Sequence, residues 1–140
     1  MPANQSALDA ETAEFARQWF DRLSAHEPVE RLLPLVVDQD LEMAFPERTL
    51  RSHEDFRDWY AVVGAAFTDQ EHVVERLGAR DDGDTVHVDV QVVWTATQTS
   101  DGSRNSFRVT QEWELAKTPD GLAIVKYHVG ALNQLSPAEK

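Results

Sequence analysis

Two polar side chains stand in apolar surroundings in the sequence, and each could contact a ligand. His128 lies in the segment 121–130, GLAIVKYHVG, and Gln111 lies between Val109 and Trp113. A buried imidazole is costly unless it is hydrogen-bonded or reactive, and near neutral pH it can act as a general base. A buried amide can donate to, or accept from, a carbonyl or hydroxyl group. In both cases the alternative is a structural hydrogen bond to the protein or to water.

Other catalytic and metal-binding patterns are missing from the sequence. It contains no cysteine, no P-loop, no G-x-G-x-x-G and no G-x-S-x-G. The histidines show neither H-x-H nor H-E-x-x-H spacing, and they are His26, His53, His72, His87 and His128. His87 and Asp89 share a strand face, but it is the polar one. We therefore expect no metal and no cofactor.

The first part of the chain predicts two helices and a short strand. Apolar residues at near-helical spacing indicate a helix from about residue 8 to residue 25, and a proline at each end delimits a short second helix at 29–33. A strand at 41–45 follows, and Met43 and Phe45 lie on its apolar face.

A third helix is predicted at 52–67, beginning with a capping pattern of serine and aspartate. Tyr60 shares one helical face with Phe56 and Phe67, whereas Trp59 points about 100° away from it. We therefore expect Tyr60, and not Trp59, to face inward.

After residue 67 the apolar period changes from 3.6 to 2, which indicates a sheet. Strands are predicted at 72–80, 86–96 and 107–115, and from residue 121 onward. Helices followed by antiparallel strands are typical of an α+β domain, here three N-terminal helices packed on a strongly curved, mostly antiparallel sheet formed after residue 70. A curled sheet packed on helices encloses a concavity, and small ligands bind in such concavities.

Length and charge limit the classes of partner. A chain of 140 residues fits one domain, 1–140, and we expect flexible tails at 1–7 and 136–140. The 13 Lys and Arg against 25 Asp and Glu give a formal charge of −12, which repels phosphate backbones and anionic membranes, so we expect no nucleic-acid and no membrane partner. No apolar run approaches the ~20 residues of a membrane span, and the expected location is cytoplasmic.

The order of elements from about residue 10 to residue 135 resembles the nuclear-transport-factor-2-like superfamily, and in particular its SnoaL-like branch. Gly121, Ile124 and His128 match a G-x-x-I-x-x-x-H ending that recurs there. The resemblance implies a cone with a deep pocket for a small hydrophobic, oxygenated molecule. It also implies cofactor-independent acid–base chemistry of the isomerase, cyclase or dehydratase type.

The resemblance does not carry over the catalytic set of the ketosteroid isomerases in that superfamily. Their tyrosine and two aspartates match Trp19, Phe45 and Gln111. Phe45 cannot accept a proton, so this route to steroid isomerisation is excluded. Two functions remain open: an acid–base enzyme with His128 as its base, or a non-catalytic binding or assembly module with the same pocket.

The predicted pocket combines inward-facing aromatic and polar side chains. Tryptophans there could form a wall against a planar ligand or simply fill the core. The predicted pocket residues are Trp19, Met43, Phe45, Tyr60, Phe67, Trp94, Gln111, Trp113 and His128.

The last strand is apolar on both sides, which bears on assembly and on His128. Val125 and Tyr127 alternate with Ile124 and His128, and the side not facing the helices needs cover, so we expect a homodimer through the outer face of the sheet. The resemblance favours His128 inside, near Gln111 and Trp113. Lys126 would then also point inward, a conflict that a bulge near Lys126, or its position at the pocket mouth, would resolve.

Overall fold

A computed structural model describes residues 2–45, 48–119 and 121–135, the side chains of residues 2–6 and of Ala131 excepted. The fold is α+β, with one curved sheet. Its helices and strands are α1 (Pro2–Ser24), β1 (Glu42–Ala44), β2 (Thr49–Leu50), α2 (His53–Ala66), β3 (Phe67–Asp81), β4 (Thr85–Gln98), β5 (Arg104–Thr118) and β6 (Gly121–Leu135). The strand order is β2-β1-β6-β5-β4-β3, and neighbours are antiparallel except for the parallel pair β1 and β6.

The helical part differs from the prediction in two places. The predicted second helix is instead a pair of 3₁₀ turns, Val29–Arg31 and Leu33–Leu35, because a proline at the start of the second turn has no N–H to continue an α-helix. Helix α1 begins at Pro2, so residues 2–7, predicted as a flexible tail, have helical backbone. The predicted tail at 136–140 lies outside the described residues. None of the described helices is long and apolar enough to cross a membrane.

Aromatic rings join α1 to the inner face of the sheet. Trp19 and Trp113 are 0% and 1% exposed, and Phe20 of α1 packs on Trp113 with ring centroids 5.6 Å apart. Trp113 in turn stacks on Tyr127 of β6 at 5.3 Å. Burial of such large rings is the main stabilising contribution of this layer.

Register shifts decide which side chains of the long strands face inward. Glu114 of β5 pairs with Lys126, but the next residue, Leu115, pairs with Ile124, so Val125 is an extra residue in β6. Such a bulge bends the strand and changes which face the following residues take. Further shifts lie between Val109 and Gln111 opposite β6, and at two places in β3.

Candidate active site

A cavity of about 250 Å³ lies between the helices and the inner face of the sheet. Its wall is largely aromatic, and the exposed side chains of His26 and Leu132 lie at its rim. An apolar protein cavity of ~150 Å³ can hold benzene, so this volume suits a molecule of one or two rings. The aromatic wall residues other than Tyr127 are Phe45, Trp59, Tyr60, Phe67 and Trp94. The expectation that Trp59 faces away from the interior is therefore wrong, because its ring stacks on Phe45 at 4.4 Å and lines the cavity together with Tyr60.

His72 of β3 is the one histidine in this wall whose pKa is strongly shifted. Its Nδ1 lies 2.9 Å from the hydroxyl oxygen of Ser24 at the end of α1, and its ring stacks on Phe20 at 5.3 Å. Burial lowers the pKa of His72 to about 4, with no charged partner contributing. The ring is therefore neutral at physiological pH. When Nδ1–H donates to Ser24, Nε2 carries the lone pair, and Nε2 has no hydrogen-bond partner among the described residues.

The inner end of the cavity carries a second polar group, formed by β5 and β6. Gln111 and Tyr127 both line the cavity and are 7% and 4% exposed. The indole N–H of Trp113 donates to Oε1 of Gln111 at 2.9 Å, and that of Trp19 donates to the Tyr127 hydroxyl at 3.4 Å. This end of the cavity can thus bind an oxygen atom of a ligand.

At the rim, Tyr60 of α2 holds a different position. Its ring stacks on His26 at 4.3 Å, and its hydroxyl donates to the backbone carbonyl of Glu27. Burial, with a smaller effect of the Glu27 charge, raises the pKa of Tyr60 to about 12. A Cβ on Gly64 would lie 2.2 Å from Nε2 of His26, so only glycine lets the imidazole lie across the helix at this point.

The nine predicted pocket residues divide into five that line the cavity, three that lie in the core and one, His128, that lies on the outer face. Five of them line the cavity: Phe45, Tyr60, Phe67, Trp94 and Gln111. Trp19, Met43 and Trp113 are at most 1% exposed and belong to the core around the cavity, not to its lining. That the five lining residues bind a ligand stays a prediction.

The predicted inward position of His128 is wrong. Its side chain is 46% exposed on the outer face, where Nε2 lies 2.6 Å from Oε2 of Glu42. That hydrogen bond is the main reason why the pKa of Glu42 is lowered. The bulge expected near Lys126 is present, at Val125, but it turns Lys126 and His128 outward and Tyr127 inward.

His72 is not among the residues predicted for the pocket, because neither the composition nor the spacing of the residues around it marks it as a site residue. Its partner Ser24 is 48 residues away, so no local motif joins them. His72 lies on the edge strand β3, where buried and exposed residues do not alternate regularly. The side of β3 that faces the interior therefore cannot be recognised from an apolar pattern. The one feature of the sequence that points to His72 is its place on a strand that pairs with β4, whose apolar face lines the interior.

A cluster of possible metal ligands lies on the outer face of the sheet, apart from the cavity. Nε2 of His87 lies 3.4 Å from Oδ1 of Asp89 and 3.5 Å from Oε1 of Glu112, and the three ligand atoms lie within 4.8 Å of one another. A divalent cation could bind there, but both carboxylates are more than 60% exposed and already face the imidazole. This cluster does not contribute to the cavity.

The sequence comparison decides the family. A model of the SnoaL-like domain matches residues 16–125, well over half of the chain. The chain belongs to the SnoaL-like domain family. No curated protein sequence matches this SnoaL-like protein significantly.

Solved structures confirm the fold of this SnoaL-like protein. A nuclear transport factor 2-like superfamily protein from Salmonella enterica has a TM-score of 0.83 at 16% identity, over 96% of this chain and 98% of that chain. A proposed scytalone dehydratase from Novosphingobium aromaticivorans has a TM-score of 0.84 at 11% identity, over 97% and 93%. A hexachlorocyclohexane dehydrochlorinase from Novosphingobium barchaimii has a TM-score of 0.81 at 14% identity, over 98% and 96%. At these identities the likeness establishes the cone fold alone.

Proposed function

We propose that this SnoaL-like protein is a cofactor-independent acid–base enzyme that removes a proton from carbon in a small cyclic, oxygenated substrate, with His72 as the base. The observation that carries the proposal is a neutral imidazole in the wall of an apolar cavity, oriented through Nδ1 by Ser24. A perturbed titratable group in a ligand-sized concavity is a standard mark of an active site.

The reaction can be written from these groups. Nε2 of His72 accepts the proton of a C–H bond in the tautomer whose Nδ1–H donates to the Ser24 hydroxyl, 2.9 Å away. The electron pair of the C–H bond then forms a C=C bond, either as a neighbouring leaving group departs with its bonding pair or as the π pair of an adjacent carbonyl moves onto the carbonyl oxygen. The first outcome is an elimination and the second an enolisation that leads to isomerisation or cyclisation.

Two structural neighbours support the elimination route. Their names, dehydratase and dehydrochlorinase, denote removal of water and of hydrogen chloride, and both reactions take a proton and a leaving group from one substrate. The cavity volume of about 250 Å³ favours a substrate of one or two rings over a four-ring steroid.

The alternative is a non-catalytic module that binds a molecule of the same size. It is favoured by the absence of any carboxylate among the described residues that line the cavity. A hydroxyl beside Nδ1 stabilises an imidazolium less than a carboxylate would, so proton abstraction by His72 is less favourable.

The homodimer through the outer face of the sheet stays a prediction, and the structure provides fewer apolar side chains for that face than the sequence pattern indicated. Tyr127 and Val129 line the cavity, so they are not available to the outer face. The described outer face there carries the polar side chains Glu42, Lys126 and His128. Light scattering at micromolar concentration tests the dimer directly.

Deuterium exchange into 2-tetralone tests the enzymatic proposal without requiring the natural substrate. We expect the protein to accelerate exchange of the protons next to the carbonyl in D2O, measured by NMR, and His72→Gln to reduce this acceleration by ~100-fold or more. His128→Gln is the matched control and should keep the wild-type rate, because that ring lies on the outer face. Binding seen by tryptophan fluorescence with exchange no faster than in buffer would favour the binding module.

A further inference from the structure

We infer that Tyr127 is a preset hydrogen-bond donor in the cavity, which makes the protein select ligands with an oxygen acceptor such as a ring ketone. This inference deepens the proposed function and rests on its premise that the cavity binds a small cyclic molecule. It does not depend on whether His72 removes a proton.

The orientation of the Gln111 amide is determined by its neighbour Trp113. An indole nitrogen can only donate, so the atom of Gln111 that lies 2.9 Å from Nε1 of Trp113 must be the carbonyl oxygen. The amide NH2 group is thereby directed elsewhere. The Gln111 side chain also lowers the pKa of Tyr127, though by less than burial raises it.

The Tyr127 hydroxyl oxygen is engaged as an acceptor, because Trp19 donates to it from Nε1 at 3.4 Å. A phenol oxygen accepts at most two hydrogen bonds in addition to bearing its proton. No acceptor for that proton is found among the described residues, so a molecule in the cavity is left to accept it.

Burial keeps this donor protonated. It raises the pKa of Tyr127 above the ordinary value for tyrosine, and the hydrogen bond from Trp19 and the smaller effect of Gln111 only partly oppose this. The ring is held between Trp19 and Trp113, with centroids 5.7 and 5.3 Å away. The hydroxyl is thus fixed in position before a ligand arrives, which lowers the entropy cost of the bond.

The chemistry of the two polar regions then fits one substrate class. If His72 takes a proton from the carbon next to a carbonyl, negative charge develops on the carbonyl oxygen. A hydrogen bond from Tyr127 to that oxygen would strengthen as the charge grows, and Tyr127 would keep its own proton. An enolisable ring ketone or a ring oxyanion meets both requirements.

Tyr60 provides an internal comparison within the same cavity. It also lines the wall and is 5% exposed, but its hydroxyl proton is already donated to the backbone carbonyl of Glu27. Loss of the Tyr60 hydroxyl should therefore not change the preference for an oxygen acceptor.

Binding of 1-indanone and of its hydrocarbon counterpart indane tests the inference. We expect wild type to bind 1-indanone more tightly than indane, and Tyr127→Phe to weaken 1-indanone binding about tenfold while indane binding is unchanged. The control Tyr60→Phe should keep the wild-type ratio of the two dissociation constants. An equal loss for both ligands in Tyr127→Phe would mean that the ring only packs, and no loss for either ligand would mean that the hydroxyl does not face the ligand; either overturns the inference.

A measurement on the wild-type protein covers the case in which Tyr127→Phe does not fold. The infrared carbonyl stretch of bound 1-indanone should move to lower frequency than in hexane, as a hydrogen-bonded carbonyl does. A hexane-like frequency in the bound state would overturn the inference.

If the protein binds ligands but does not remove a proton, deuterium exchange will be absent while the preference for 1-indanone over indane remains. That result would reject the proposed function and leave the inference about Tyr127 intact. Binding of neither ligand would reject both proposals.

Discussion

Two of the histidines of the sheet, His72 and His128, have the same chemistry and opposite environments. His72 lies on the inner face against α1, where its neighbours are a hydroxyl and an aromatic ring. His128 lies on the outer face with 46% of its side chain exposed and a carboxylate at 2.6 Å. The difference teaches that the face of the strand, more than the residue type, decides which imidazole can act on a molecule in the cavity.

The environments also act on different groups. Burial depresses the pKa of His72, so the folded protein disfavours its protonation. On the outer face the pKa that shifts is that of Glu42, the partner of His128, because the hydrogen bond between the two side chains lowers it. Three measurements can break or sharpen this contrast.

The largest effect expected is on stability in acid. Between pH 6.5 and pH 4 the unfolded state protonates His72 and the folded state does not, so the stability contributed at neutral pH is lost as the pH falls. Between pH 7.5 and pH 4.5 wild type should lose about 2.5 kcal/mol more of its unfolding free energy than His72→Gln does. Urea denaturation at the two pH values measures this, with His128→Gln as a control that should lose as much as wild type. Equal losses in wild type and His72→Gln would show that His72 is solvated.

A smaller effect is expected from a charge placed beside Nδ1. Ser24→Asp would put a carboxylate next to the imidazole and raise the pKa of His72 by about one unit or more, because an opposite charge favours the protonated ring. NMR titration of the imidazole protons measures the shift, and Ser24→Ala controls for loss of the hydroxyl. A pKa of His72 that stays at about 4 in Ser24→Asp would show that the two side chains do not meet.

The smallest effect is expected on the outer face. His128→Gln should return the pKa of Glu42 toward its ordinary value of 4.5, since the hydrogen bond with His128 is the largest cause of the depression. The urea midpoint at neutral pH should not change measurably, as is usual for exposed ion pairs. Carboxyl NMR titration checks the first point, and a pKa of Glu42 that stays low would assign the depression to Arg51 and Lys126 instead.

Much of the fold could be predicted because local patterns agree with the final packing. The alternation in β5 predicts Gln111 and Trp113 on the inner side, and both are buried there. The capping pattern at the start of α2 is formed, with the Ser52 hydroxyl accepting from the Asp55 N–H at 3.2 Å. Both features depend on neighbouring residues alone, so they can be read without knowing the partners.

The site was less predictable because it depends on distant pairing. His72 becomes a candidate base only when β3 and α1 meet, and Tyr127 becomes a cavity donor only when Trp19, Gln111 and Trp113 surround it. Nothing in the spacing of these residues along the chain indicates these contacts.

What the sequence by itself determined is the family, the order of elements and the inner faces of β4 and β5, since regular alternation allows only one apolar side. The inner face of β6 was decided by the tertiary structure. There the extra residue Val125 is set by pairing with β5, and one added residue moves the side chains between it and the next register shift to the opposite face. That single shift placed Tyr127 in the cavity and His128 outside it.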